Sequence, residues 1–507
     1  MSFTTQIFLF VFFPICLACY YSAEVLGKQK CIRLLEKKMR IKDTILVIFS
    51  FGFYMWVCFD DIFRFCIYII GVYIAGRMIE KRRTGNFLFV IENEEVGSSE
   101  EQQKCYKKVS WALPVLSVSI MSVVFCLVYF KYAYILTDIW NYLFKREIVA
   151  QSYMAPLGIS FITFSAISYL VDIYRGDEKA GSFIDCALYL SFFPKVVSGP
   201  VVLWKDFKNQ ISTRTWNLDK CVYSLNRIMV GFAKKLILAD QFGAFIASVS
   251  LYKGGMDSIT ALGTMFAYML QIYFDFSGYS DIAIGLAGLF GFDFKENFNF
   301  PYCSKSISEF WRRWHISLGT WFREYVYIPL GGSRCGKIKT MRNQAIVFLL
   351  TGIWHGAGWN YLLWGGVNGV FVIIEKLIAK KKIYQKTPNI LKWIATMTIT
   401  FIAWQLFRFS DMESFKICFG SLFSQYSLIN LPYTWKYYFD ARIIFLMIIG
   451  TLGSTVFAWN KLKIWYKRIT SSSVGFLIQE IIIFMLFLIA ILCMVNSTYS
   501  PFIYFQY

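Results

Sequence analysis

Histidine is almost absent from this chain: its 507 residues hold two, His315 and His355. The thirteen cysteines do not replace it as metal ligands. They are scattered, mostly within apolar runs, and the one CxxC, Cys16 and Cys19, has no second pair and no nearby histidine. No metal or redox site is expected, and the cysteines read as small buried hydrophobes. Polar sequence is equally scarce. The clearest polar stretch runs from Glu92 to Lys108 and reads as a solvated loop. No repeat of 20–50 residues is visible, which removes support for a repeat array or an inverted-repeat transporter. The first apolar run lacks a basic flank before it, so it is expected to be a retained helix rather than a cleaved signal. Gly331 to Lys337 fits GxxxxGK, but Ile338 stands where a magnesium-binding Ser or Thr is needed. A basic inner loop is therefore the expectation over a nucleotide site.

What is present is apolar sequence in abundance. The chain is 57% hydrophobic and 20% aromatic, with mean hydropathy +0.49. A bilayer crossing needs about 17–25 residues. Runs of that kind fall near 3–22, 43–59, 62–79, 110–130, 152–173, 183–203, 226–250, 258–276, 344–375, 390–409, 441–459 and 475–497. The expectation is an all-α, polytopic membrane protein, with 276–345 left for re-entrant or interfacial pieces. The net charge of +20 does not imply nucleic acid, because Lys and Arg concentrate in short loops between spans. Lys28–Lys42, Arg77–Arg83 and Lys461–Arg468 are all cytoplasmic only if the N-terminus lies outside. The C-terminus then lies outside too. The domain plan is a membrane domain over 1–474 and a last transmembrane helix with its tail over 475–507.

The stretch 296–334 has a different texture. Ser306 and Glu309 carry the spacing of a capping box. Trp311, Trp314, His315, Leu318 and Phe322 then recur at three- and four-residue steps, while Arg312, Arg313 and Arg323 decorate another face. This predicts one oblique interfacial helix, broken by Pro329 and Gly331-Gly332, with its tryptophans and His315 turned to the apolar side. His355 lies instead in an apolar span loosened by Gly352, Gly356, Gly358, Gly365 and Gly366, small residues that let helices pack closely. Ionisable groups at membrane depth are costly, and imidazole is suited to moving protons near neutral pH. Both histidines are therefore candidate functional groups, with an interhelical hydrogen bond as the bland alternative. Asp275 and Asp281 could orient a histidine, bind substrate or hold helices together, the last being favoured.

Several ordered stretches resemble the membrane-bound O-acyltransferase superfamily, and within it a bacterial branch acting on alginate and teichoic acid. They are Leu157–Phe161 with Ser168–Gly176, Phe193-Pro194-Lys195 with Ser198-Gly199-Pro200, Tyr273–Asp281, Glu296–Asn299, Ser306–Arg334 and Trp354-His355-Gly356. The resemblance implies a ring of about 11 transmembrane helices, with an extra C-terminal helix here, around a central tunnel. It implies His355 as the catalytic histidine and His315 as the second polar residue of the site. Asp275, Asp281, Asn299, Trp314 and Trp354 are then candidate substrate contacts. The segment Pro501–Tyr507 is similar to the tail of a small membrane protein of teichoic acid D-alanylation, whose tyrosine carries an acyl group. That likeness makes Tyr504 a candidate acyl carrier, against the alternative of an interfacial aromatic belt.

The implied reaction moves an acyl group from a cytoplasmic thioester, most simply acetyl-CoA, to an extracytoplasmic cell-wall or exopolysaccharide polymer. No bound cofactor is expected. The implied partners are an SGNH-type acyltransferase or esterase outside the cell, the polysaccharide acceptor and membrane lipid. The location is the bacterial cytoplasmic membrane. D-alanyl transfer to teichoic acid, or a transporter or flippase, are the alternative functions.

Overall fold

The computed structural model describes residues 2–27, 41–84, 88–89, 107–108, 111–149, 156–215, 217–251, 255–356, 358–409, 411–423, 431, 433–455, 464, 470–496 and 502. Among them the chain is helical apart from turns, loops and one antiparallel pair of two-residue strands, Leu88 opposite Lys108 and Phe89 opposite Lys107. Five of the described helices are long and apolar enough to cross a membrane: Phe59–Arg83, Ala112–Phe144, Trp359–Ile378, Asn389–Arg408 and Ser473–Asn496. Phe8–Ala23 and Ala441–Gly453 are shorter apolar helices.

Several expected spans are broken, each for a local reason. The run 183–203 ends as a helix at Ser191, because Pro194 has no N–H to bond back to Leu190. The run 226–250 contains a π-helical turn, Lys234–Ala239, between Leu218–Ala233 and Asp240–Ser250. The run 344–375 is two helices, Lys337–His355 and Trp359–Ile378. These pack antiparallel through glycine. A methyl group on Gly352 would collide with the Tyr361 carbonyl, and one on Gly365 would lie 2.5 Å from the Phe348 carbonyl oxygen.

The chain forms two compact units. The first comprises residues 1–15, 197–201 and 214–507. Its axis is Ser258–Leu289, in which every residue from Ile272 to Leu289 is buried. A helix apolar and buried on all sides is a core element. Asp257 caps it, accepting from the Ile259 and Thr260 N–H groups at 3.1 and 3.0 Å. The helix Leu218–Ala233 lies close against it, since a methyl group on Gly231 would lie 2.7 Å from the Gly278 carbonyl oxygen. Ser473–Asn496 belongs to this unit, with Phe487 against Phe232 at 5.5 Å and Glu480 accepting from Asn226 at 2.8 Å.

The second unit comprises residues 16–196 and 202–213. Here the polar members of two sequence motifs serve as ties. Ser168 Oγ accepts from Trp204 N–H at 2.8 Å and Asp172 accepts from Lys205 N–H at 3.1 Å, so together they hold the start of the helix Trp204–Thr213. The buried Lys195 ammonium donates to Ser165 Oγ at 2.9 Å and faces the Tyr189 ring at 4.1 Å.

Candidate active site

The oblique helix expected from Ser306 begins there. Ser306 Oγ accepts from Glu309 N–H at 3.0 Å, while the Glu309 carboxylate accepts from Lys305 N–H at 2.9 Å, one residue earlier than a reciprocal capping box requires. The helix does not run on to Pro329. It stops at Arg313, and a second helix, Ile316–Phe322, starts after His315. His315 itself is left-handed, with φ 45°, a conformation that costs a non-glycine residue free energy unless the surroundings hold it.

Asn297 supplies that hold. Its carbonyl accepts from Ile316 N–H at 3.0 Å, and its side-chain oxygen accepts from Ser317 N–H at 3.2 Å and Ser317 Oγ at 2.9 Å. Two residues along, Asn299 N–H donates to the Arg313 carbonyl at 2.9 Å. The loop 297–299 thus pairs with the break in the helix as a strand would. Ser317 Oγ in turn accepts from Val201 N–H at 3.0 Å, and the Asn297 amide nitrogen donates to Ser280 Oγ at 3.1 Å.

This network also sets the tautomer of His315. The Ser317 backbone N–H can only donate, so the Asn297 atom facing it is the amide oxygen. His315 Nδ1 lies 3.2 Å from that same oxygen and so carries its proton. The basic lone pair of the neutral ring then sits on Nε2. Phe276 of the central helix packs edge-on against the imidazole at 4.6 Å.

His355 is the last residue of Lys337–His355 and is 4% exposed. Three aromatic rings surround it: Trp354 at 4.7 Å, Phe407 at 5.0 Å and Trp364 at 5.1 Å. The carbonyls at a helix C-terminus carry partial negative charge, which suits a group that becomes positive when it takes a proton. The Trp354 ring lies 6.4 Å from the His315 ring. The two histidines, forty positions apart in sequence, therefore flank one indole.

Of the other candidates, Trp354 is the shared wall. Trp314 is buried one layer away, against Trp404 at 4.7 Å and Phe298 at 5.0 Å, and Trp404 reaches Trp364 at 6.0 Å. Asp275 pairs with Lys235 at 2.6 Å. Asp281 pairs with Arg227 at 2.7 Å and Lys234 at 2.6 Å, and Arg227 continues to Glu296. Both aspartates tie the central helix to its neighbour, the helix-holding role favoured above. Asn299 is exposed, with its backbone bonded to Arg313. Tyr504 lies outside the described residues. Among the described residues no cluster of three metal-ligating side chains occurs.

The residue that sequence reasoning did not single out is Asn297. Its signal was weak: Asn297 and Asn299 stand in the same short motif, and only the folded loop distinguishes the buried amide from the exposed one.

Residues 107–421 match the family model described as MBOAT, membrane-bound O-acyltransferase family. The chain is 33% identical to a Pseudomonas putida protein named "Probable alginate O-acetylase AlgI", over the full length of both. It is 36% identical to the Pseudomonas aeruginosa protein of the same name, over 84% of this chain and 75% of that one. It is 33% identical to a Helicobacter pylori "Peptidoglycan O-acetyltransferase", over 62% of this chain and 64% of that one.

Proposed function

The chain belongs to the membrane-bound O-acyltransferase family, a multi-pass membrane enzyme, and from that premise we propose that it acetylates hydroxyls of an extracytoplasmic polysaccharide by way of an acyl-tyrosine on its own C-terminal segment. The observation that carries the reading is the convergence of His315 and His355 on Trp354 inside an apolar core. Two imidazoles kept in such surroundings, on one aromatic wall, suit proton transfer in a site that excludes water.

The donor is a cytoplasmic thioester, most simply acetyl-CoA. His355 takes the proton from the Tyr504 hydroxyl as its oxygen attacks the thioester carbonyl carbon. The tetrahedral adduct collapses, the C–S bond breaks, and the thiolate leaves as thiol with the proton returned by the imidazolium. His315, its proton held on Nδ1 by Asn297, assists from its place beside the same Trp354 ring. The phenyl ester so formed is more reactive than an alkyl ester. An SGNH-type enzyme outside can therefore pass the acetyl group to a sugar hydroxyl with no further energy source. The names of the relatives, alginate O-acetylase and peptidoglycan O-acetyltransferase, favour a polysaccharide acceptor. The relatives named are bacterial, which favours the bacterial cytoplasmic membrane, and the loop charges favour an orientation with both termini outside.

The test is Tyr504→Phe, which removes one oxygen and keeps the aromatic anchor. Polymer acetylation in cells carrying it as the sole copy should fall to background, while Tyr507→Phe stays near wild type. In a strain lacking the extracytoplasmic enzyme, peptide mass analysis should find an acetyl group trapped on the segment containing Tyr504. Full activity of Tyr504→Phe would move the attacking hydroxyl to the partner or the polymer.

A further inference from the structure

The lipid-facing helix Ser473–Asn496 exposes most of its large apolar side chains, yet Phe502, a few residues beyond it, is 1% exposed. Its ring meets Tyr279 edge-on at 4.5 Å and lies 4.5 Å from the ammonium of Lys235. On Tyr279 it is joined by Phe3, stacked at 4.9 Å. Lys235 is buried between two carboxylates, Asp275 at 2.6 Å and Asp240 at 2.8 Å.

These contacts lie beside the histidine site. Asp275 and Phe276 are neighbours on the central helix, and Phe276 is the ring packed on His315. Tyr279 follows Phe276 by three residues, less than one turn, or roughly 4.5 Å of axial rise. Between Phe502 and Tyr504, two residues of fully extended chain cover at most about 7 Å.

We infer that Phe502 is a positioning residue: it anchors the C-terminal segment over the buried Lys235–Asp275 ion pair and so delivers Tyr504 to the histidines. This rests on the acyl-tyrosine reading above. The Phe502 ring removes apolar surface from water against Tyr279 and presents a negative π-face to Lys235, an attraction that strengthens where water is excluded. Of the two candidate aspartates, Asp275 gains a definite part here, since it fixes the ammonium on which the ring rests.

The experiment compares Phe502→Ala, Phe502→Leu, Phe502→Trp and Tyr504→Phe with wild type, in nanodiscs and in cells. Hydrogen–deuterium exchange of peptides covering 497–507 reads docking directly, whatever the chemistry. Phe502→Ala should speed that exchange by about ten-fold or more, the loss of one buried aromatic contact. Phe502→Leu should be intermediate, since it keeps apolar bulk without a π-face, and Phe502→Trp should be close to wild type. Tyr504→Phe should leave exchange unchanged. Polymer acetylation should fall in step with exchange across the Phe502 series, with exchange elsewhere in the protein unaltered.

Unchanged exchange in Phe502→Ala overturns the docking, whatever Tyr504→Phe does. Faster exchange with undiminished acetylation in Phe502→Ala, while Tyr504→Phe is inactive, overturns the positioning role but not the carrier tyrosine. An active Tyr504→Phe overturns the carrier reading, and the positioning role with it.

Discussion

His355 and His315 are held in different ways, and they should fail in different ways. His355 ends a helix among three rings and, unlike His315, has no positive φ, so His355→Ala should abolish polymer acetylation while detergent-extracted protein remains monodisperse. His315 is both a candidate proton carrier and the left-handed hinge between two short helices. His315→Ala should reduce acetylation severely and also lower thermal stability. Asn297→Ala separates the two roles. It leaves both imidazoles in place but removes the acceptor shared by His315 Nδ1, Ser317 N–H and Ser317 Oγ. Burying donors without a partner costs about 1–3 kcal/mol each, so its loss should appear in the melting temperature as well as in turnover. Asn299→Ala, at an exposed side chain, is the control and should be close to wild type. An Asn297→Ala protein with unchanged melting and rate would remove the network from the site.

At the level of elements, the hairpin of Lys337–His355 and Trp359–Ile378 depends on glycine where the backbones approach. Gly352→Val places atoms onto the Tyr361 carbonyl and should prevent accumulation of extractable protein, whereas Gly366, with open space at its Cβ position, should accept Ala at little cost. Fluorescence-detected size exclusion of tagged protein from membranes checks both. Equal yields would mean that the two helices are less tightly packed than described. The glycines around His355 were legible in sequence as packing residues. The hairpin was not, because an apolar run of this length with glycines in it fits one span or two helices equally well. The break at His315 was invisible for a related reason. The three- and four-residue spacing of Trp311, Trp314, His315 and Leu318 matches a single helix, and the interruption is held by bonds from the distant loop 297–299.

For the whole molecule, Phe3 and Phe502 pack on the same Tyr279 ring, which brings the two ends of the chain to one place in the first unit. Which side of the membrane this is follows from the proposed orientation, read from loop charge, with both termini outside. Cysteines introduced at Ser2 and Ser500 in a background without accessible thiols should react with an impermeant reagent in intact cells, and one at Ser99 should not. Reaction at Ser99, or protection of both ends, would reverse the orientation and take the C-terminal segment away from an extracytoplasmic partner.

Sequence alone was enough to settle that this is a helical, multi-pass membrane acyltransferase with two histidines worth attention. Hydrophobic runs, loop charge and ordered motifs are local signals, and each survives being read one segment at a time. What tertiary structure decided was the company those residues keep. Asp275 and Asp281 stand six positions apart on one helix and read alike, yet each is committed to a different set of cations from the neighbouring helix and the π-helical turn that follows it. Asn297 and Asn299 read alike, yet one is buried and bonded to His315 while the other faces outward. Phe502 looks like any interfacial aromatic, yet it is buried on Lys235. Partners for buried polar and aromatic groups come from segments tens to hundreds of residues away, and no periodicity within a segment encodes which of them will meet.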